Sequence, residues 1–242
     1  MARPPAARFA EPIELYDLCH QWVDHAAHGA RMAEALRAAG LPEGATVLEG
    51  ACGTGLWLSA LGPGWRRAGF DLDRDSLSRA QARIPDGRFF EADLADWRVE
   101  RPVDAVLLVF GALAYVPDAA LAGAAACVAQ ALAPGGVALV EPWVAPADFQ
   151  PGRPQLVVVD TPYLKVCRQV LPRRDGDAAV LDFHHLITAA GLPPRLVRTT
   201  DRLVLRDDAV LDAALQGAGL HLEDRIPGTM PGRTMGLWRR PA

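Results

Sequence analysis

Between residues 49 and 55 the chain reads Glu-Gly-Ala-Cys-Gly-Thr-Gly, an acid followed by glycines in the order Gly50-x-x-Gly53-x-Gly55. Glycines so spaced let a backbone turn sharply, approach a ligand closely and aim the N-terminus of the next helix at it. Two more acids follow. Asp71, with Leu72 beside it, closes an apolar run and offers a carboxylate able to accept both hydroxyls of a ribose. Asp93-Leu94 joins an acid that can accept from an adenine amino group to a side chain that can pack on the ring. The chemistry implied is recognition of an adenosine-bearing ligand. A Gly-rich turn alone also fits a ligand-free strand-to-helix turn, and nicotinamide dinucleotide enzymes carry an acid at the position of Asp71 as well.

The elements that must hold these residues can be read from periodicity. Ile13 to Ala39 has a helical pattern, stopped by Gly40 and Pro42. Thr46 to Glu49 is a short strand, with a helix from about Leu56. Arg67 to Leu72 is a second strand, Asp73 to Ser76 cap a helix running through Arg83, and Arg88 to Phe90 is a third strand. Val103 to Phe110 is a continuous apolar run, as a strand covered on both faces requires. An Ala-rich helix spans Asp118 to Leu132, Pro134-Gly135-Gly136 turns the chain, and Val137 to Glu141 is a fifth strand. This alternation predicts an α/β fold, a Rossmann-like seven-stranded mostly parallel sheet. After Glu141 four strand-like segments follow without a helix: Leu156–Asp160, Tyr163–Leu171, Ala178–Thr188 and Arg195–Leu205. They predict an antiparallel β insertion. A helix over Asp207–Gln216 and strands near Leu220–Ile226 and Arg233–Arg239 complete the pattern. The expected organisation is a ligand-binding core over 1–142, an insertion over 143–206 and completion of the core over 207–242.

Composition excludes several classes. A net charge of −4 and a sequence pI near 5.9 leave no electrostatic footprint for nucleic acid. No apolar stretch is long enough to span a bilayer, and the N-terminus has no signal-peptide core, so a cytoplasmic protein is expected. Cys19, Cys52, Cys127 and Cys167 show no metal-ligand or disulfide spacing, and no metal site is expected.

Leu132-Ala133-Pro134-Gly135-Gly136, ahead of the fifth strand, is the turn usual in S-adenosylmethionine (SAM) methyltransferases. With the Gly-rich loop, Asp71 and Asp93-Leu94, the chain resembles class I SAM-dependent methyltransferases, in which the acid opening the loop, here Glu49, lies near the methionyl end. A narrower resemblance is to the nucleotide-sugar N,N-dimethyltransferases that finish amino sugars for macrolide antibiotics. It is carried by Glu14-Leu15-Tyr16-Asp17-Leu18 with His20-Gln21, Ala51 to Gly55, and Val109 to Tyr115. Further matches are Pro134 to Val137, Val140-Glu141-Pro142-Trp143 with Pro146 and Phe149, Ala218-Gly219-Leu220 and Pro231-Gly232-Arg233. The resemblance implies SAM as cofactor, with S-adenosylhomocysteine as product, and a small-molecule amine as acceptor. It implies that Tyr16 contacts the methionyl part, that Phe110 and Gly111 line the pocket beside the sulfonium, and that Tyr115 lies near the reacting amine. It further implies that the insertion covers the active site and pairs two subunits in a homodimer. Three positions depart from the family's pattern: Gly50 stands for a Val, His25 for a Tyr that touches SAM, and Arg8 or Phe9 for a Tyr close to the substrate.

Methylation of nitrogen needs an unprotonated amine, so a proton acceptor near it helps. Tyr115, His184 and Glu141 are the candidates: Tyr115 follows a strand end at the ligand crevice, Glu141 ends the fifth strand at the same edge, and His titrates near neutrality. His184 and His185 are adjacent on a strand, so at most one of them faces the pocket. Trp22 and Trp143 are candidates for walling the substrate by cation–π contact, and Arg233 for meeting a phosphate. The same fold also supports O-methylation, another transfer from SAM, or a catalytically silent SAM sensor.

Overall fold

The computed structural model describes residues 12–242; Arg8 and Phe9 lie outside the described residues. The chain divides into two compact units, one combining residues up to Val23 with Asp148–Leu203, the other combining Asp24–Ala147 with Val204–Ala242.

The larger unit is the α/β part. Its strands are β1 (Thr46–Gly50), β2 (Arg66–Asp71), β3 (Arg88–Glu91), β4 (Val103–Leu108), β5 (Leu132–Val140), and, far along the chain, β11 (His221–Pro227) and β12 (Thr234–Arg239). They form a seven-stranded sheet in the order β11-β12-β5-β4-β1-β2-β3, as the alternation of strands and helices predicts. The first five run parallel, whereas β12 is antiparallel to β5 and β11 antiparallel to β12. The chain order reverses between β1 and β4, so the carboxyl ends of these two neighbours flank the crevice where open α/β sheets bind ligands. β4 is apolar apart from Asp104, which accepts from Thr46 N at 2.7 Å, because both its faces are covered; Ala105 to Leu108 are wholly buried.

Helices α2 (His25–Ala38), α3 (Leu56–Ala60), α4 (Arg74–Arg83), α5 (Asp118–Ala131) and α6 (Asp208–Gly217) belong to this unit. Asp73 caps α4 by accepting from Ser76 N at 3.0 Å, the signal legible in the sequence. α5, α6 and the sheet enclose the main core, in which Val106, Leu108, Val128, Leu215 and Trp238 are fully or almost fully buried. The Pro134-Gly135-Gly136 turn proves to be an irregularity inside β5: pairing with β4 jumps from Val103↔Leu132 to Ala105↔Val137. Gly135 takes φ +77 there, and its N–H donates to Arg240 O.

The smaller unit begins with α1 (Pro12–Cys19). The single helix expected over Ile13–Ala39 is therefore two. Asp24 accepts from Ala27 N at 3.0 Å and starts a new helix, so its side chain acts as a cap where the apolar periodicity alone reads as continuous. The rest of the unit is an antiparallel sheet of β6 (Gln155–Asp160), β7 (Leu164–Val170), β8 (Arg173–Asp175), β9 (Ala178–Ala189) and β10 (Arg195–Val204), in the order β10-β9-β7-β6 with β8 against β9. β8 was not expected: the Arg-Asp-Gly-Asp segment reads as a plain turn, but Gly176 at φ +63 lets it fold as a tight hairpin that pairs Asp175 with Ala178. One face of this sheet packs on α1 through Leu15 and Cys19 against Val159, Leu164, Val166 and Ile187.

Candidate active site

The Gly-rich loop leaves β1 in a conformation few side chains tolerate. Ala51 sits at φ +51, Gly53 at +50 and Gly55 at +74. Strain of this kind is held where a ligand needs the backbone close. A Cβ built on Gly53 meets nothing within 4 Å, so the loop faces open space there. Gly50 is different: a Cβ would lie 2.7–2.9 Å from Leu108, Phe70 and Leu94 side chains, so those groups occupy the room a side chain there would need. Asp71 accepts from Gly53 N at 2.8 Å and from Asp73 N at 3.0 Å, one bond to each oxygen. One lone pair on each oxygen remains, which suits a pair of ribose hydroxyls. Asp93 accepts from Ala95 N at 2.9 Å beside the buried Leu94.

Glu49 ends this series at the base of the loop. It is only 2% exposed, and its Oε2 has no hydrogen-bond partner among the described residues. Burial pushes its carboxyl well above the usual carboxylate range; a backbone hydrogen bond from Leu58 opposes the shift and nearby Asp71 adds to it. An orphaned buried acceptor is costly unless something donates to it, and a ligand ammonium is such a donor.

Across the crevice, at the exit of β4, Phe110 is held at φ +55 and Gly111 at φ +73. Phe110 N donates to Glu141 Oε2 at 2.7 Å. The same carboxylate accepts from Thr229 N at 2.6 Å, from Met230 N at 3.0 Å and from the Thr229 hydroxyl. Glu141 is fully buried, and these four donors fill its acceptor capacity. It is a clamp between the β4 exit and the β11–β12 loop, which corrects its reading as a proton acceptor. Gly111 is required by Trp143, whose ring would stand 2.7 Å from a Cβ there.

Phe110 also belongs to an aromatic group. Its ring lies 5.6 Å from Trp57, and Trp57 lies 4.5 Å from His25 and 6.1 Å from His28. Trp57, the second residue of the helix that follows the loop, is the member sequence reasoning missed. The signal was its position directly behind the Gly-rich motif, where an aromatic reads equally as core.

The other predicted residues fall in different places. Tyr115 ends a 3₁₀ turn over Ala112–Tyr115 just past Gly111 and is 53% exposed. Arg233 pairs with Asp208 at 3.0 Å and donates to Trp143 O, both through Nη2. Tyr16, 4.1 Å from the His20 ring, and Trp22 lie in the smaller unit and are both exposed. His184 lies there too, on the solvent face of β9, where it lines an open basin of about 1090 Å³ with Gln169, Arg198 and Thr200. Its neighbour His185 takes the covered face.

Residues 47–136, from the start of β1 through the β5 turn, match a family described as a methyltransferase domain. Over 214 residues, 87% of this chain and 90% of the relative, the sequence is 32% identical to dTDP-3-amino-3,4,6-trideoxy-alpha-D-glucopyranose N,N-dimethyltransferase of Streptomyces venezuelae. The chain belongs to the nucleotide-sugar N,N-dimethyltransferases. Solved structures agree with that membership. The crystal structure of Streptomyces venezuelae DesVI superposes with a TM-score of 0.83 at 30% identity, covering 100% of both chains. SAM-bound CalS10, an amino pentose methyltransferase from Micromonospora echinaspora involved in calicheamicin biosynthesis, gives 0.82 at 26% identity over 94% of this chain and 95% of that one. Like other members of the dimethyltransferase family, this enzyme is a SAM-dependent methyltransferase, and the open loop, Asp71, Asp93 and the orphaned Glu49 oxygen are the features that suit the cofactor.

Proposed function

We propose that this enzyme N-methylates the amine of a nucleotide-linked amino sugar in antibiotic biosynthesis, in two successive transfers. The reading rests on one observation above others: the family relationship to a dTDP-amino-sugar N,N-dimethyltransferase spans 87% of the chain. When bound, SAM supplies a methyl group on a sulfonium, a leaving group that needs no activation. What the protein contributes is grip and alignment. Asp71 takes the ribose hydroxyls, Asp93 and Leu94 take the adenine, and Glu49 accepts from the ammonium of the methionyl end. Phe110, Gly111, Trp57 and His25 wall the region of the sulfonium, where aromatic faces favour a cation. Holding nucleophile and methyl in line is worth ~7–11 kcal/mol in well-oriented systems, so precision at the Phe110 edge governs the rate. Tyr115 is the residue assigned beside the acceptor amine, with its phenolic oxygen as the hydrogen-bond acceptor that orients the neutral nitrogen.

The enzyme is also proposed to act in the cytoplasm and as a homodimer joined through the antiparallel insertion. No helix among the described residues is long and apolar enough to cross a membrane, and the outer face of the insertion carries exposed apolar side chains. Incubation with SAM and a dTDP-3-amino-deoxysugar, followed by mass spectrometry, tests the substrate reading. Two successive methyl additions to one nitrogen are expected. A product methylated on oxygen, or no S-adenosylhomocysteine with any amino sugar, overturns it.

A further inference from the structure

The turn that presents Tyr115 is short and weakly held by its own backbone. It is a single 3₁₀ turn over Ala112–Tyr115, entered through Gly111 at φ +73 and left through Val116 in an extended conformation. Ala112, Leu113, Ala114 and Val116 are buried, whereas Tyr115 among them is turned outward and 53% exposed. Ala114 N donates to Gly111 O at 2.9 Å, and Val116 N donates to Leu113 O at 3.2 Å. Hydrogen-bond geometry in a 3₁₀ turn is poor, and such turns rarely run beyond four residues. Pro117 follows directly, and a proline has no N–H with which to continue the ladder. The carbonyls on either side of Tyr115 therefore depend on a donor from elsewhere in the chain.

Arg206, in the link between β10 and α6, is that donor. It follows the buried Leu205, and its own side chain is only 9% exposed. Nη1 donates to Leu113 O at 2.7 Å, Nη2 donates to Val116 O, and Nε pairs with Asp118 at 2.5 Å. One planar guanidinium thus grips the residue two before Tyr115, the residue after it and the first residue of α5. Arginine carries its donors in a rigid fork that can meet three acceptors at once, whereas a lysine ammonium is a single point on a flexible stem. Arg206 and all three of its partners belong to the larger unit. Asp118 neutralises the charge, so what the contact accomplishes is to fix backbone. A small rotation of the turn is magnified at the far end of a tyrosine, and a misplacement of about 1 Å near the reacting atoms can cost about a hundredfold in rate.

We propose that Arg206 is a positioning residue for methyl transfer: by holding the backbone on both sides of Tyr115 it sets where the Tyr115 hydroxyl meets the acceptor amine. This role rests on the assignment of Tyr115 given above. Steady-state kinetics with SAM and a dTDP-3-amino-deoxysugar, run as a double-mutant cycle on the full-length enzyme, test it. Arg206→Met keeps much of the stem and loses every donor. It should lower kcat about tenfold to a hundredfold, with SAM affinity by calorimetry within about twofold of wild type. Arg206→Lys, which keeps the charge opposite Asp118 but not the fork, should recover part of that loss. In the Tyr115→Phe background the hydroxyl is already gone, so Arg206→Met should change kcat less than about threefold, whereas independent effects multiply. If Arg206→Met does not fold, Arg206→Lys takes its place in the cycle with an expected loss of several-fold. A fully multiplicative loss in the Tyr115→Phe background, or wild-type kcat in a folded Arg206 variant, overturns the role of Arg206 alone. Wild-type kcat in Tyr115→Phe overturns the assignment of Tyr115, and no turnover by wild type overturns the substrate reading; either result removes the role of Arg206 as well.

Discussion

At the scale of single residues, two buried glutamates in the same crevice behave in opposite ways, and hydrogen bonding is the reason. Glu49 has an oxygen without a partner and a carboxyl pushed up by burial; Glu141 has every acceptor site filled. Because the Glu49 pKa is higher folded than unfolded, the folded chain binds more protons from the ordinary carboxylate range upward, and stability declines as pH rises toward the shifted value. The ligand-free Glu49→Gln variant should therefore melt at or above the wild-type temperature near neutral pH and lose less stability as pH rises from about 5 to 8. The same variant should bind SAM more weakly by about 1–3 kcal/mol, since a charged acceptor is gone. A melting temperature that tracks wild type across that range would show that Glu49 is not a destabilising buried acid. Glu141→Gln should do the reverse. Its amide nitrogen faces donors where an oxygen accepted, costing about 2–3 kcal/mol in a thermal or urea melt. KM for SAM should rise through the loosened Phe110, with the shape of the pH–rate profile retained; loss of one limb of that profile would restore Glu141 as the base. The placement of Asp71, Asp93 and the glycines was legible because it is local to a strand end. Glu141 was not, because Thr229 and Met230 lie far along the chain and no spacing in the sequence announces them.

At the scale of elements, glycine positions reveal which contacts set the crevice. α2 carries His25 and α3 carries Trp57, and the two helices meet where Gly29 lies against the Ala60 backbone: a Cβ on Gly29 would collide with the Ala60 carbonyl oxygen. Backbone cannot move aside as a side-chain tip can. Gly29→Ala should therefore destabilise the enzyme by about 1–3 kcal/mol despite the better helix propensity of alanine. Gly123 in α5 is the internal control, since a Cβ there meets only the Ala95 carbonyl at an ordinary 3.7 Å. Gly123→Ala should stabilise by about 0.5–1 kcal/mol, and melting curves that move both variants in one direction would contradict this account of the α2–α3 contact. Periodicity located nearly every strand and helix of the parallel sheet, because half-buried and fully buried elements differ in pattern. It missed the break at Asp24, where a cap interrupts an unbroken apolar rhythm, and the pairing of β8, whose residues are exposed and charged. It also left the inward face of β9 open: the alternation at His184-His185 fixes that the rings diverge but not which of them meets α1.

At the scale of the whole molecule, the antiparallel insertion has one face occupied and one open. α1 covers the face bearing Leu164, Val166 and Ile187, whereas the opposite face leaves Leu156 60%, Val158 62% and Leu186 52% exposed. Register makes this more than scattered exposure, because Val158 pairs with Cys167 and Cys167 with Leu186, so their side chains form one row across three strands. A contiguous apolar row on a sheet face marks an association surface, and a second copy of the chain is the partner proposed for it. Light scattering on the purified enzyme at micromolar concentration should give the mass of a dimer. Leu186→Glu, which adds a charge in the middle of the row, should shift it to monomer with little change in the melting of the monomeric fold, because the site is solvent-exposed in the single chain. A wild-type enzyme that stays monomeric at high concentration, or a Leu186→Glu variant that stays dimeric, would move the interface elsewhere. Glutamate in the row also separates association from catalysis. The Gly-rich loop, Glu49, Asp71 and Asp93 all lie in the larger unit, so SAM affinity in the Leu186→Glu monomer should stay near that of wild type even if turnover changes.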